Sequence, residues 1–253
     1  MSEHPVQETP ATRTATVVNG RHPLTRVWTR GGPVDTELLR DDEVAAIKER
    51  SEASIGEPAS MALLGFATGT FIIAWPLSGF VPLTALPASV PSVLLFAGIA
   101  QFIGGLIAFR RENQFAGTAF CVFGANNTVV ATFLLMQVTG SLPTTPGSSE
   151  MKMLALELWC FGYIALMLGI VAMRLNVAFV AILLTLSAGF TLSALPDYYG
   201  TAMPTVLGHI GGYCLIASAA IAAYTATAMV LNSTWERSVM PMIPFRGMQQ
   251  HHG

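Results

Sequence analysis

The chain has 253 residues, of which 52% are hydrophobic and only 11% charged, with a formal net charge of −2. Soluble domains carry about a quarter of their residues charged, so a soluble globular fold is excluded for most of this chain, and the near-neutral balance offers no basic footprint for a nucleic-acid partner. Charge is concentrated in residues 1–57 and sparse over 58–231, which predicts one membrane domain behind a polar N-terminal segment.

Residues 1–33 open with "MSEHPVQETPATRTATVVNG", rich in Thr, Pro and charge; such a composition predicts a disordered polar tail. The first 57 residues hold no apolar core of the signal-peptide kind, so no cleaved secretory signal is expected. In "PVDTELLRDDEVAAIKERSEA", residues 33–53, Asp35 and Thr36 offer caps, and Leu38, Leu39, Val44, Ala45 and Ile47 recur at roughly helical spacing. An amphipathic juxtamembrane helix over 34–55 is expected, on the membrane surface or against a neighbouring subunit. A solvated linker helix is the equal alternative.

The membrane domain is expected over 56–233, followed by a C-terminal tail at 234–253. A span needs about 20 mainly apolar residues, and six runs qualify: 59–80, 89–109, 114–138, 151–173, 177–195 and 204–231. Gly, Pro and Ser clusters separate them. Arg40, Lys48, Arg50, Arg110, Arg111, Arg174, Arg237 and Arg246 all fall on one side of a six-span topology, and Lys152 falls on the other. Basic residues stay on the cytoplasmic side. The expected fold is therefore an all-α membrane protein, a six-transmembrane-helix bundle with both termini cytoplasmic.

The spans carry little charge: Glu157 is the main ionisable group in them, and His209 the one imidazole. His209 is expected to bond a neighbouring carbonyl, with proton carriage the minor alternative. No Asp/Glu/His relay is visible. Cys121, Cys160 and Cys214 lie in apolar runs and read as buried small residues; no metal or cofactor is expected. Neither a Gly-x-Ser-x-Gly elbow nor a phosphate-binding loop occurs, so an enzyme is not expected. The neutral polar groups Thr70, Gln101, Asn126 and Asn127 suit the path of a small polar or anionic solute. Thr68 and Thr128 are expected to bond helix to helix instead.

Three segments carry a family resemblance. "GEPASMALLGFATGTF" (56–71) resembles the N-terminal Asn-Pro-Ala-Pro signature and following Gly-Phe and Thr-rich stretch of the acetate uptake transporter family, also called the succinate–acetate permease family. "GIAQFIGGLIAFRRENQFAGTAF" (98–120) is similar to its Gly-x-Ala-Gln helix, basic loop and following Thr-Ala-Phe segment, and "AYTATAMVLNSTWERSVMPMIPF" (223–245) to its last helix and tail. The resemblance implies a six-helix protomer with its own pore, a homo-hexamer in the cell membrane, and transport of acetate and sometimes succinate, with ammonium export in some members. It implies a constriction at Phe66, at Phe123 where the family has Tyr, and at Leu184, placed by spacing from Trp159. Glu57 and Pro58 stand at the pore mouth where the family has Asn-Pro. Pro suits the first turn of a helix, and Glu57 suits the positive end of the helix dipole, although a carboxylate there would repel an anion. Asn126 and Asn127 replace an aromatic pair.

The leading expectation is a channel or transporter for acetate or a similar small monocarboxylate. The alternatives are a channel for ammonia or another small neutral solute, and a non-transporting membrane scaffold subunit.

Overall fold

The structure, a computed structural model, describes residues 26–29, 32–35, 56–142, 145–200 and 205–242. The chain divides into two units, Met1–Gly56 and Glu57–Gly253.

In the N-terminal unit, β1 (Arg26–Thr29) pairs antiparallel with β2 (Gly32–Asp35), Arg26 opposite Asp35 and Thr29 opposite Gly32. The hairpin falls within the stretch expected as a polar tail, and Asp35, expected as a helix cap, lies in β2. The remainder of the expected 34–55 helix and the sequence 1–20 lie outside the described residues.

Among the described residues, the second unit holds six helices long and apolar enough to cross a membrane: α1 (Ala59–Leu77), α2 (Leu83–Arg110), α3 (Gln114–Val138), α4 (Ser149–Ala172), α5 (Val177–Tyr199) and α6 (Thr205–Thr234). Three starts are fixed by side-chain caps. Asn113 Oδ1 accepts from Ala116 N at 3.0 Å, Asn176 Oδ1 from Phe179 N at 3.0 Å, and Ser148 Oγ from Met151 N at 3.3 Å; each satisfies an amide that the helix leaves unbonded. Glu57 does the same for α1, its Oε1 accepting from Ala59 N at 3.2 Å. Gly79, at φ +82°, lets the chain turn after α1.

α2 is irregular. It opens as a 3₁₀ segment over Leu83–Ser89, makes a short α-helical piece at Val90–Ser92, passes through a π-helical stretch at Val93–Ala100, and is α-helical again over Gln101–Arg110. Wide turns of this kind occur where a side chain enters the backbone ladder, and here Asn127 Nδ2 of α3 donates to Ala97 O at 3.2 Å.

The helices pack as a ring in the order α3-α2-α1-α6-α5-α4, with α3 and α4 meeting only briefly. In lipid, contact is driven by close packing and interhelical hydrogen bonds rather than by hydrophobicity, and the buried faces match. Ala62, Ala74, Ala97, Ala155, Ala165, Ala194 and Ala226 are sealed inside. Ser187 Oγ of α5 donates to Gly162 O of α4 at 2.7 Å, Trp159 Nε1 of α4 to Thr191 O of α5 at 3.1 Å, and Ser218 Oγ of α6 to Ile182 O of α5 at 2.9 Å. The glycine strip of α2 packs within the protomer. A Cβ on Gly98 would stand 2.6 Å from Thr128 Oγ1, one on Gly104 2.8 Å from Ala62 Cβ, and one on Gly105 2.6 Å from Cys121 N. After α6 the chain folds back: Asn232 Oδ1 accepts from Val239 N at 2.7 Å and Met240 N at 2.9 Å, and Tyr224 Oη donates to Pro241 O at 3.0 Å.

Candidate functional site

Two cavities lie inside the ring. The smaller, about 420 Å³, opens at the end where α1, α3 and α5 begin; Glu57, Asn113 and Asn176 line it there. The larger, about 830 Å³, opens at the opposite end, where Pro82, Val138, Pro146, Met151 and Thr205 line it. Phe66 of α1 and Phe123 of α3 line both cavities. Their ring centroids are 6.2 Å apart at an interplanar angle of 53°, and both side chains are buried. The two rings thus form a waist between the cavities, apolar on its α1 and α3 sides.

Neutral polar groups flank the waist. Gln101 lines the smaller cavity, and Thr70, Asn126 and Asn127 line the larger one. All four are buried. Asn127 Nδ2 donates to Gln101 Oε1 at 3.2 Å as well as to Ala97 O, so α2 and α3 are tied together beside the waist. Asn126 Oδ1 is buried with no partner among the described residues. Thr70 is four residues beyond Phe66 and Asn126 three beyond Phe123, so each follows its ring by about one helical turn.

At the mouth of the smaller cavity Arg111 Nη2 meets Glu57 Oε2 at 3.2 Å. The carboxylate that would repel an anion is therefore compensated, while it also caps α1. The N-termini of α1, α3 and α5 gather at this end. Their unbonded N–H groups and dipoles favour negative charge.

Leu184 departs from expectation. It lines neither cavity, is 38% exposed, and packs toward Gly169 of α4. Leu183 and Leu186 face the smaller cavity instead; each residue turns a helix by about 100°, and counting from Trp159 across a loop does not fix that phase. His209 also departs: it lines the larger cavity with its ring against Gly79, and it bonds no carbonyl among the described residues. α5 runs on to Tyr199, past the expected end at 195, which brings Asp197 into the span and into the wall of the larger cavity. Glu157 lines neither cavity. Thr128 Oγ1 donates to Gly124 O of its own helix at 3.1 Å rather than to another helix. Asn113 and Asn176 were not among the expected caps, although each directly precedes an apolar run; Asp197 carried no such signal. Among the described residues no cluster of His, Cys, Asp or Glu has the makings of a metal site.

A ring of six apolar helices around two cavities that share an aromatic waist defines an integral membrane protein. The model of the GPR1/FUN34/yaaH family matches residues 42–247, and the chain belongs to that family. It is similar to the succinate-acetate/proton symporter SatP of Escherichia coli K12, 27% identical over 188 residues that cover 74% of this chain and 95% of the relative. An uncharacterized protein of Methanothermobacter thermautotrophicus is 25% identical over 213 residues, 82% of this chain and 95% of the relative. Ammonia transport outward protein 2 of Saccharomyces cerevisiae is 26% identical over 194 residues, 74% of this chain and 65% of the relative. The solved structure of the bacterial acetate channel SatP shares the fold, with a TM-score of 0.66 at 24% identity over 74% of this chain and 99% of that one.

Proposed function

We propose that the chain is a channel or transporter for acetate or a similar small monocarboxylate, with the two cavities as vestibules and Phe66 and Phe123 as the constriction between them. The observation that carries this reading is the shared waist: a solute passing from one cavity to the other meets both rings. An unpaired charge in an apolar setting is costly. Gln101 on one side and Thr70, Asn126 and Asn127 on the other supply neutral hydrogen-bonding groups in place of lost water. The three helix N-termini at the mouth support an anion over a neutral solute or ammonium, and the Glu57–Arg111 pair leaves no bare carboxylate there to oppose it. Similarity to the SatP symporter points the same way.

In this reading the end bearing Arg110, Arg111 and Arg174 is cytoplasmic, both termini lie on that side, and the cell membrane is the site of action. The protomers assemble as a homo-hexamer, each with its own path. Leu183 or Leu186, rather than Leu184, completes the constriction from α5. The test is flux into proteoliposomes. Labelled acetate should enter faster than ammonia raises internal pH, relative to protein-free vesicles. Ammonia movement without acetate uptake would replace this reading with the ammonia one, and movement of neither would leave a scaffold.

A further inference from the structure

The carboxamides of Gln101 and Asn127 are oriented in series by a backbone carbonyl. One terminal atom of Asn127 lies 3.2 Å from Ala97 O and 3.2 Å from the Gln101 side chain. A backbone carbonyl only accepts, so that atom is Nδ2. An amide nitrogen only donates, so the Gln101 atom facing it is Oε1. Both protons of Asn127 Nδ2 are thereby used, and the oxygen arm of Gln101 is held toward α3. Its Nε2, on the other arm of the same carbon, is turned off this bond. Gln101 lines the smaller cavity beside Phe66 and Phe123 and is 1% exposed, so the N–H pair is shielded from bulk water.

We propose that Gln101 presents a donor-only N–H pair to the solute on the smaller-cavity side of the waist, and that Asn127 is the positioning residue that holds it in that sense. The pair selects an ionised monocarboxylate over a neutral solute of the same shape. This rests on the monocarboxylate reading above and names the species that the path recognises. An ionised carboxylate carries acceptors only and matches the donor face at either oxygen. Acetamide, its neutral isostere, can offer one oxygen, in a bond without charge assistance and roughly half as strong. Asn127→Asp replaces the donor with an acceptor, so Gln101 turns Nε2 toward it and shows Oε1 to the solute. Gln101→Glu keeps the bond from Asn127 and replaces the donor face with a carboxylate oxygen.

The experiment compares labelled acetate and acetamide flux in proteoliposomes of the full chain, for the wild type and both variants. A hydrogen bond to a charged group contributes about 1.5–3 kcal/mol, so each variant should lower the acetate-to-acetamide ratio by about tenfold or more. General damage to the protein would lower both fluxes and leave the ratio in place, so the ratio reads what the site presents to the solute and not stability. Gln101→Glu carries the test alone if Asn127→Asp does not assemble. An unchanged ratio in an assembled variant that still passes both solutes overturns the proposal. Wild-type vesicles that pass neither solute would count against the monocarboxylate reading itself, and the proposal falls with it.

Discussion

Glu57, on the approach to α1, and Arg111, in the turn after α2, close a 3.2 Å ion pair at the mouth of the smaller cavity. The pair is partly exposed, so its contribution to stability is about 0–1 kcal/mol. Its effect on a passing anion is larger in proportion, because it decides whether the mouth carries a bare carboxylate. Arg111→Ala should uncover Glu57 and slow acetate entry from that side several-fold at low salt, with the deficit shrinking as ionic strength rises and screening sets in. The double change Glu57→Gln with Arg111→Ala should recover part of the loss. Acetate flux against salt concentration checks both; a deficit that ignores salt would place the effect in structure rather than in charge.

Phe123→Tyr should add a hydroxyl donor at the waist, on the side chain that already lines both cavities. Charge-assisted hydrogen bonds to a carboxylate are the stronger kind, so acetate flux or its selectivity over neutral solutes should rise. The measure is acetate against acetamide uptake in the same vesicles. No change in either quantity would mean that the para position of the ring does not meet the solute.

Phe66→Ala should open the waist, since the two centroids stand only 6.2 Å apart. The flux of a larger acid such as succinate, relative to acetate, should then rise above the wild-type ratio. Truncating a buried Phe costs about 3–5 kcal/mol of stability, so melting in detergent accompanies the flux measurement. An assembled variant with the wild-type size limit would remove Phe66 from the gate.

Much of this architecture was legible because bilayer physics simplifies the sequence signal. Six apolar runs and one-sided arginines suffice for span number, and the six helices of the structure follow those runs closely. The polar residues Gln101, Asn126 and Asn127 stood out because neutral amides are rare within such runs and need partners there. Helix phase was harder. In an all-apolar span every face looks alike, so Leu184 could not be told from Leu183 or Leu186 by pattern, and only packing against Gly169 places it on the outer side. Span ends were also obscured: the run 177–195 stops just before Pro196, yet a proline near a helix end is tolerated, and α5 carries Asp197 into the cavity wall. The π-helical stretch before Gln101 takes a hydrogen bond at Ala97 O from Asn127, a residue of another helix, and has no local signature. Contacts between distant segments of this kind are what a one-dimensional pattern does not encode.

Gly105 provides a test of the packing. The small residues of α2 could face a neighbouring protomer or their own helices. A Cβ at Gly105 would stand 2.6 Å from both Cys121 N and Cys121 Sγ and 3.1 Å from Gly117 O, closer than carbon atoms approach such groups. The backbone of α3 cannot yield as a flexible side chain could, so any larger residue must separate α2 from α3. Overpacking typically costs about 1–3 kcal/mol and more where backbone must move. Separation of these helices would also break the Asn127 bonds to Ala97 and Gln101 and shift Phe123 away from Phe66. Gly105→Leu should therefore lower the melting temperature of the protomer in detergent and reduce acetate flux together. Oligomer content should fall only as a consequence of the damaged protomer. Native mass spectrometry at a temperature below the melt separates the two routes: folded monomers in place of the wild-type oligomer would mean that Gly105 lies at an interface between copies. Full stability with full flux would mean that α2 and α3 are not packed as closely as this arrangement requires.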